Sequence, residues 1–217
     1  MQKGRGARGV KRTGSAVVLW GDHGWKLGEH NSWCKMTNYE IDTRAPLIVH
    51  APGRGKRGSS TTRLVEFVDV YPTLCDLTGL AVPEGLEGTR MVPLIEATDR
   101  PWKSAAFSQY LRAGTWAAPD GVEYVGYAVR TDRFRYVEWY KWKTHEQAAV
   151  ELHDEQADPE ENENIAVRPE HGELLKQLSA ILGAPGRFLD RGMLLCRTQP
   201  AGLECQLRQF HCIQEQK

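Results

Sequence analysis

A short apolar run, Ala16-Val-Val-Leu-Trp20, stops at Asp22-His23 and gives way to a glycine-punctuated stretch, Gly21-Asp-His-Gly-Trp-Lys-Leu-Gly-Glu-His30. That order constrains the fold, because a buried strand in an open α/β sheet delivers its polar groups to the crevice beyond its carboxyl end. A carboxylate and an imidazole are adjacent at that point, and Lys35 follows on the same loop. The flanking glycines permit positive φ and close backbone approach. The chemistry predicted here is a metal beside an anion.

The rest of the chain supplies elements around this loop. Ala45-Pro-Leu-Ile-Val-His50 reads as a second strand closed by Pro52-Gly53, and the two runs together predict parallel strands of a larger sheet. Asp69 reads as a helix cap, Pro72 falls in the first turn, and Gly79 ends the helix. Residues 82–103 read as loop. Beyond them Ala105–Tyr110, Val122–Arg130, Phe134–Tyr140 and Val150–His153 read as strands, the middle two joined through Thr131-Asp132-Arg133. Hairpin-linked strands predict an antiparallel sheet. Arg168–Leu182 places Leu174, Leu175, Leu178, Ile181 and Leu182 on one helical face to cover it. Residues 1–15 read as a basic, unstructured leader and 183–217 as a poorly ordered tail.

The motifs Trp20-Gly-Asp-His-Gly-Trp-Lys-Leu-Gly-Glu-His30, Trp33-Cys-Lys35 and Arg44-Ala-Pro-Leu-Ile-Val49 resemble the second half of the type I sulfatases, most closely their iduronate-2-sulfatase-like branch. Val68-Asp-Val-Tyr-Pro-Thr-Leu74, Gly126-Tyr-Ala-Val-Arg-Thr-Asp132 and Glu151-Leu-His-Asp154 with Asp158-Pro159 extend the resemblance over roughly residues 16 to 182. It implies an α/β fold, the C-terminal portion of an alkaline-phosphatase-like sheet sandwich (16–103), followed by a small antiparallel sheet plus helix subdomain (104–182). It also implies sulfate-ester hydrolysis on sulfated carbohydrate, with calcium and a formylglycine nucleophile. The Cys-x-Pro-Ser-Arg motif that yields formylglycine and the Asp-Asp pair that adds metal ligands do not occur in these 217 residues. The nucleophile is therefore expected upstream of this sequence, and the chain is expected to be an incomplete part of such an enzyme that aggregates when expressed alone.

By resemblance, Asp22 and His23 occupy metal-ligand positions. Carboxylate oxygen suits a hard divalent cation better than imidazole nitrogen does. Lys35 falls where a lysine contacts the sulfate and steadies charge on the departing oxygen, and its Trp33-Cys34 setting predicts partial burial. His30 is a secondary substrate-binding candidate, and Glu29 is expected to brace the loop. Lys26 is expected to face solvent. Tyr110 to Trp116 are candidates for a sugar-binding rim, whereas the remaining aromatics read as sheet packing.

The 28 basic and 28 acidic residues cancel, so no general electrostatic attraction to nucleic acid is expected. No secretion signal or membrane segment is legible. Five cysteines without Cys-x-x-Cys give neither a disulfide framework nor a zinc pattern. Cys34 and Cys75 are expected to be buried free thiols, and Cys196, Cys205, His211 and Cys212 have no standard metal spacing. Two other readings stand beside sulfate-ester hydrolysis. One is phosphodiester or phosphonate hydrolysis within the same superfamily, and the other is a non-catalytic metal-binding remnant.

Overall fold

The protein is described by a computed structural model over residues 14–113 and 122–183. The expectations for most of the 1–15 leader, for most of the 183–217 tail, for Trp116 and for Cys196, Cys205, His211 and Cys212 lie outside those residues. The chain divides into two compact units, one formed by the segment up to Gly21 with Pro46–Lys103, the other by Asp22–Ala45 with the segment from Ser104 onward.

In the first unit, β1 (Val17–Trp20) and β4 (Leu47–His50) form a two-stranded sheet. The pair is antiparallel, with Trp20 opposite Leu47 and Val17 opposite His50. This corrects the parallel expectation. The chain leaves β1 and re-enters β4 at the same end, where Gly21 N–H donates to the Pro46 carbonyl at 3.0 Å, and a parallel pair would need a crossover to the opposite end. Nor is β1 buried: Leu19 is 63% exposed. The helix α2 (Val70–Thr78) has the predicted bounds, with Gly79 at φ 73° and Leu80 N–H reaching back to the Cys75 carbonyl at 2.9 Å. Asp69 does not cap by its side chain. Fully buried, it accepts from Glu66 N–H at 2.8 Å, Thr89 N–H at 2.7 Å and Lys103 Nζ at 2.5 Å. It thereby ties the long connection after α2 back onto the helix start. That connection, read as loop, contains a short helix α3 (Val92–Glu96) with Met91, Val92 and Leu94 buried. Pro93 lies in its first turn, where a missing N–H is tolerated.

The second unit is built on a four-stranded antiparallel sheet in the order β5 (Ala105–Ala113), β6 (Val122–Thr131), β7 (Phe134–Lys141), β8 (Gln147–Asp154). Thr131 Oγ1 fixes the β6–β7 turn by accepting from Phe134 N–H at 3.0 Å. Strand alternation sorts the faces. Val125, Tyr127, Val129, Tyr136, Tyr140 and Leu152 point to one side, where α4 (Gly172–Leu182) covers them with Leu178 and Leu182. Ile181, predicted on that face, is instead 41% exposed. It lies about 100° from Leu182 on the helical wheel, at the edge of the stripe. The carboxylate of Glu138 is buried on this side and accepts the hydroxyls of Tyr136 at 2.7 Å and of Tyr140. The opposite face carries Ala128, Val137 and Trp139, flanked by Tyr110 and Tyr124. Tyr110 sits on β5 against this cluster. Among the described residues no helix is long and apolar enough to cross a membrane.

Candidate functional site

The segment Asp22–Ala45 belongs to the second unit, and its path is set by a few buried contacts. Gly24 N–H donates to the Asp42 carbonyl at 2.8 Å. A Cβ at Gly24 would lie 1.7 Å from the Ile41 carbonyl oxygen, so only glycine fits. Lys26, expected at the surface, is completely buried. Its ammonium is paired with Asp42 and donates to Thr37 Oγ1 at 3.1 Å, and Thr37 in turn donates to Asp42. A buried charge requires such a partner. Asp42 brings that partner because helix α1 (Glu40–Thr43) turns it inward.

Between Lys26 and Thr37 runs a hairpin of β2 (Lys26–Leu27) and β3 (Trp33–Cys34), with Lys26 opposite Cys34 and Leu27 opposite Trp33. Glu29 accepts Leu27 N–H at 2.5 Å, as expected of a bracing residue, and its backbone hydrogen bonds hold its pKa below the usual carboxylate value. His30 stacks on Tyr39, ring centroids 3.9 Å apart and planes 8° apart, and Tyr39 meets the buried His153 edge-on. Non-glycine residues with positive φ cluster here: His30 and Asn31 at 53°, Cys34 at 70°, Met36 at 105°. Cys34 and Met36 bracket Lys35, so this lysine is presented from backbone that side chains rarely adopt, a pattern that collects at functional sites. Lys35 is half-buried, in keeping with its setting. Cys34 is exposed, contrary to expectation, while Cys75 is buried; both are free thiols.

Asp22 exposes 68% of its side chain, and its Oδ2 lies 3.3 Å from His23 Nε2. His23 Nδ1 is 2.6 Å from the Gly24 carbonyl oxygen. A carbonyl only accepts, so a ring proton sits on Nδ1 and Nε2 is the nitrogen that faces Asp22. A carboxylate oxygen and an imidazole nitrogen side by side are donor types that a divalent cation can take as two ligands of a larger set. No group of three potential metal ligands occurs among the described residues.

Behind the hairpin, Met36–Tyr39 runs across the face of the sheet that carries Trp139. With Arg112, Trp139 and Glu151 it lines a recess of about 30 Å³, room for about one water. Glu151 accepts Trp139 Nε1 at 3.0 Å, and burial raises its pKa. Asn38, 3% exposed, has no hydrogen-bond partner for its Nδ2 among the described residues. Gly126 leaves it space: a Cβ there would come within 2.6 Å of that nitrogen.

Five charged groups anchor this segment. Arg135, 2% exposed, pairs with Glu40, with Glu161 at 2.7 Å and with Glu155 at 3.3 Å. Arg130 approaches Glu40 at 3.2 Å and Glu155 at 3.6 Å. The Nε contacts of Arg135 are ion pairs without hydrogen-bond alignment. Three carboxylates face two guanidinium groups, and burial pushes Glu161 up to about 8 and Glu155 upward with it. The pair retains a proton near neutrality. Sequence reasoning passed over Asp42, Arg135, Glu40 and Glu161 and placed Lys26 at the surface. Alternation does mark Arg135, which shares a strand face with Val137 and Trp139.

Residues 28–184 match the family described as N-sulphoglucosamine sulphohydrolase, C-terminal. The iduronate 2-sulfatase of Mus musculus is 28% identical over 220 residues, taking in 75% of this chain and 40% of the mouse enzyme. A solved structure in complex with its substrate, D-glucosamine-2-N,6-O-disulfate, is similar with a TM-score of 0.68 at 30% identity. That match covers 81% of this chain and 35% of the other. The phosphonate monoester hydrolase of Silicibacter pomeroyi matches with a TM-score of 0.66 at 28% identity, over the same two shares. The chain thus spans two fifths or less of the length of these relatives.

Proposed function

The chain belongs to the sulfatase family, and from that premise we propose that residues 22–35 form one side of a sulfate-ester hydrolase site. Its nucleophile comes from sequence outside these 217 residues. The observation that carries this reading is the Asp22–His23 pair, with His23 Nδ1 held by the Gly24 carbonyl so that Nε2 faces the carboxylate. Asp22 and His23 would hold a calcium ion, which when bound supplies positive charge for the sulfate oxygens. Lys35, which follows the β2–β3 hairpin, would add a second cation that binds the sulfate and stabilises the alkoxide as the S–O bond breaks. One such donor contributes on the order of 3 kcal/mol to a transition state. His30, stacked on Tyr39, is a neighbouring contact for the substrate. The substrate class is sulfated carbohydrate, by analogy with the sulfated sugar bound in the similar structure.

Calcium titration of the chain tests the ligand pair without requiring turnover. Calcium is expected to raise the melting temperature of the wild type and to leave Asp22→Asn unmoved. An equal response of both proteins would sink the assignment. A second reading, phosphonate or phosphodiester hydrolysis, is favoured by the likeness to the phosphonate monoester hydrolase, since Lys35 and a divalent cation suit either tetrahedral anion. With this chain grafted in place of the matched region of the mouse iduronate 2-sulfatase, turnover of 4-nitrophenyl sulfate against 4-nitrophenyl phenylphosphonate separates the two. Calcium-dependent stabilisation with neither turnover identifies a non-catalytic metal-binding remnant.

A further inference from the structure

Between His50 and Glu66 the chain carries four permanent cations, Arg54, Lys56, Arg57 and Arg63, and no acid, although its 217 residues are neutral overall. Within the first unit this stretch is laid along α3 and the turn that follows it. A Cβ at Gly55, whose φ is 58°, would lie 2.1 Å from the Ile95 carbonyl oxygen, so only glycine lets the two backbones meet. Arg54 pairs with Glu96 at 2.7 Å, Thr61 Oγ1 donates to the Thr98 carbonyl at 2.7 Å, and Arg63 Nη2 donates to the Asp99 carbonyl at 3.1 Å. The Lys56 carbonyl accepts both the N–H and the hydroxyl of Ser59, at 3.2 and 2.8 Å, which closes the turn that bears Lys56 and Arg57. Arg100, exposed, follows Asp99 directly. Glu96 neutralises Arg54, and Glu66 with Asp69 neutralises Lys103. Lys56, Arg57, Arg63 and Arg100 enter no ion pair among the described residues.

We propose that Lys56, Arg57, Arg63 and Arg100 form a docking strip for a sulfated polysaccharide chain. The strip shares no residue with the Asp22–Lys35 segment. Its argument is charge complementarity: four cations without acidic partners present a positive field to a chain of regularly spaced anions. The contacts to residues 95–99 hold that backbone in place, so little ordering remains to oppose binding. Exposed Ser60 and Thr62 add hydroxyl donors between the cations. Residues 51–63 contain no aromatic side chain, so the base stacking on which single-stranded nucleic-acid binding relies is not on offer there. The choice of sulfate as the anion rests on the sulfated-carbohydrate reading above, whereas the cationic strip does not.

The test measures heparin binding to the full chain. Affinity is expected to fall roughly tenfold or more between about 50 and 150 mM sodium chloride, as screening and counterion release weaken the contact. The triple variant Lys56→Ala/Arg57→Ala/Arg100→Ala should bind roughly tenfold more weakly at the same melting temperature, because exposed side chains are removed without loss of packing. The charge-retaining variant Lys56→Arg/Arg57→Lys/Arg100→Lys should bind like the wild type. So should a variant in which Lys3, Arg5, Arg8, Lys11 and Arg12 are all alanine, and desulfated heparin should not compete. Unchanged binding by the triple variant, or a loss confined to the variant at residues 3–12, would overturn the proposal. Desulfated heparin or a DNA duplex bound as tightly as heparin would overturn it as well. Heparin binding without calcium stabilisation supports the strip and counts against the metal pair, and calcium stabilisation without heparin binding does the reverse.

Discussion

Arg135 Nη1 donates to the backbone carbonyl of Asn38 at 2.8 Å, joining residues 97 apart in the chain. The same guanidinium pairs with Glu40, two residues further along. Residues 38–40 directly follow the hairpin that presents Lys35 and precede Asp42, the partner of buried Lys26. One arginine on the sheet therefore fixes the stem of the candidate site through a backbone acceptor and a carboxylate together, a geometry suited to a planar fork of donors.

Replacing Arg135 by methionine keeps much of the volume but leaves Glu40, Glu155 and Glu161 facing one another with only Arg130 nearby. Removing one partner of a buried ion pair costs about 3–5 kcal/mol. The melting temperature should fall sharply, and Arg135→Lys should recover only part of the loss because an ammonium cannot serve the Asn38 carbonyl and two carboxylates in one plane. Thermal or denaturant unfolding of the three proteins checks this. A loss under 1 kcal/mol would mean that the segment is held elsewhere.

Glu161 makes stability depend on pH. Its folded-state pKa is raised from about 4.5 to about 8 by burial, so the folded protein keeps a proton that the unfolded chain releases. Stability from this group is complete below pH 4.5 and is lost as pH rises through about 8, by an amount on the order of a few kcal/mol. His153 has the opposite sign. Burial lowers its pKa below 6.5, so its contribution is lost as pH falls below that value. The wild type should lose stability between pH 6.5 and 8, and Glu161→Gln should flatten that limb. Denaturant midpoints at pH 6.5 and 8 measure it.

Lys26 and Asp42 form a buried pair whose single replacements each strand a charge. Lys26→Met or Asp42→Leu alone should destabilise by several kcal/mol, about 3–5 by analogy with other buried pairs. The double replacement should cost clearly less than the sum, because no charge is left unpaired. Additive losses in a double-mutant cycle would show that the two side chains do not depend on each other.

The sequence displayed the sheet better than it displayed the site. Strand alternation in β6 and β7 and the Thr131–Arg133 turn are short-range signals, and each element forms where those signals place it. α2 likewise ends at its predicted stop, Gly79. The direction of β4 relative to β1 was not legible, because it depends on where the 25-residue excursion between Trp20 and Pro46 returns. Lys26 was misread because its neighbours Trp25 and Leu27 are apolar, and alternation then turns the lysine away from them. They prove to be the exposed pair, at 51% and 66%, while Lys26 finds Asp42 inside. Sixteen residues of sequence separation leave no local signal for that pairing. The glycine motif around Asp22 did announce a tight local path, and the reason lies at Gly24.

Gly24 has its Cα packed beneath the turn that ends α1. A methyl group there would overlap the Ile41 carbonyl oxygen, 1.7 Å away, and approach the Arg44 carbonyl oxygen at 3.3 Å. Both obstacles are backbone, so neither can rotate aside as a side chain would. Gly24→Ala must therefore push residues 22–25 away from 41–44, stretching the Gly24 N–H bond to the Asp42 carbonyl. Overpacking of this kind costs about 1–3 kcal/mol. The displacement should also shift the carbonyl that holds His23 Nδ1. The expected result is a modest fall in melting temperature together with a larger proportional loss of calcium stabilisation. Glycine at 28, whose Cβ would meet nothing within 4 Å, provides the contrast: Gly28→Ala should be destabilised only by its φ of 134° and should keep its calcium response. If Gly24→Ala retains the full response, the Gly24 carbonyl does not orient His23.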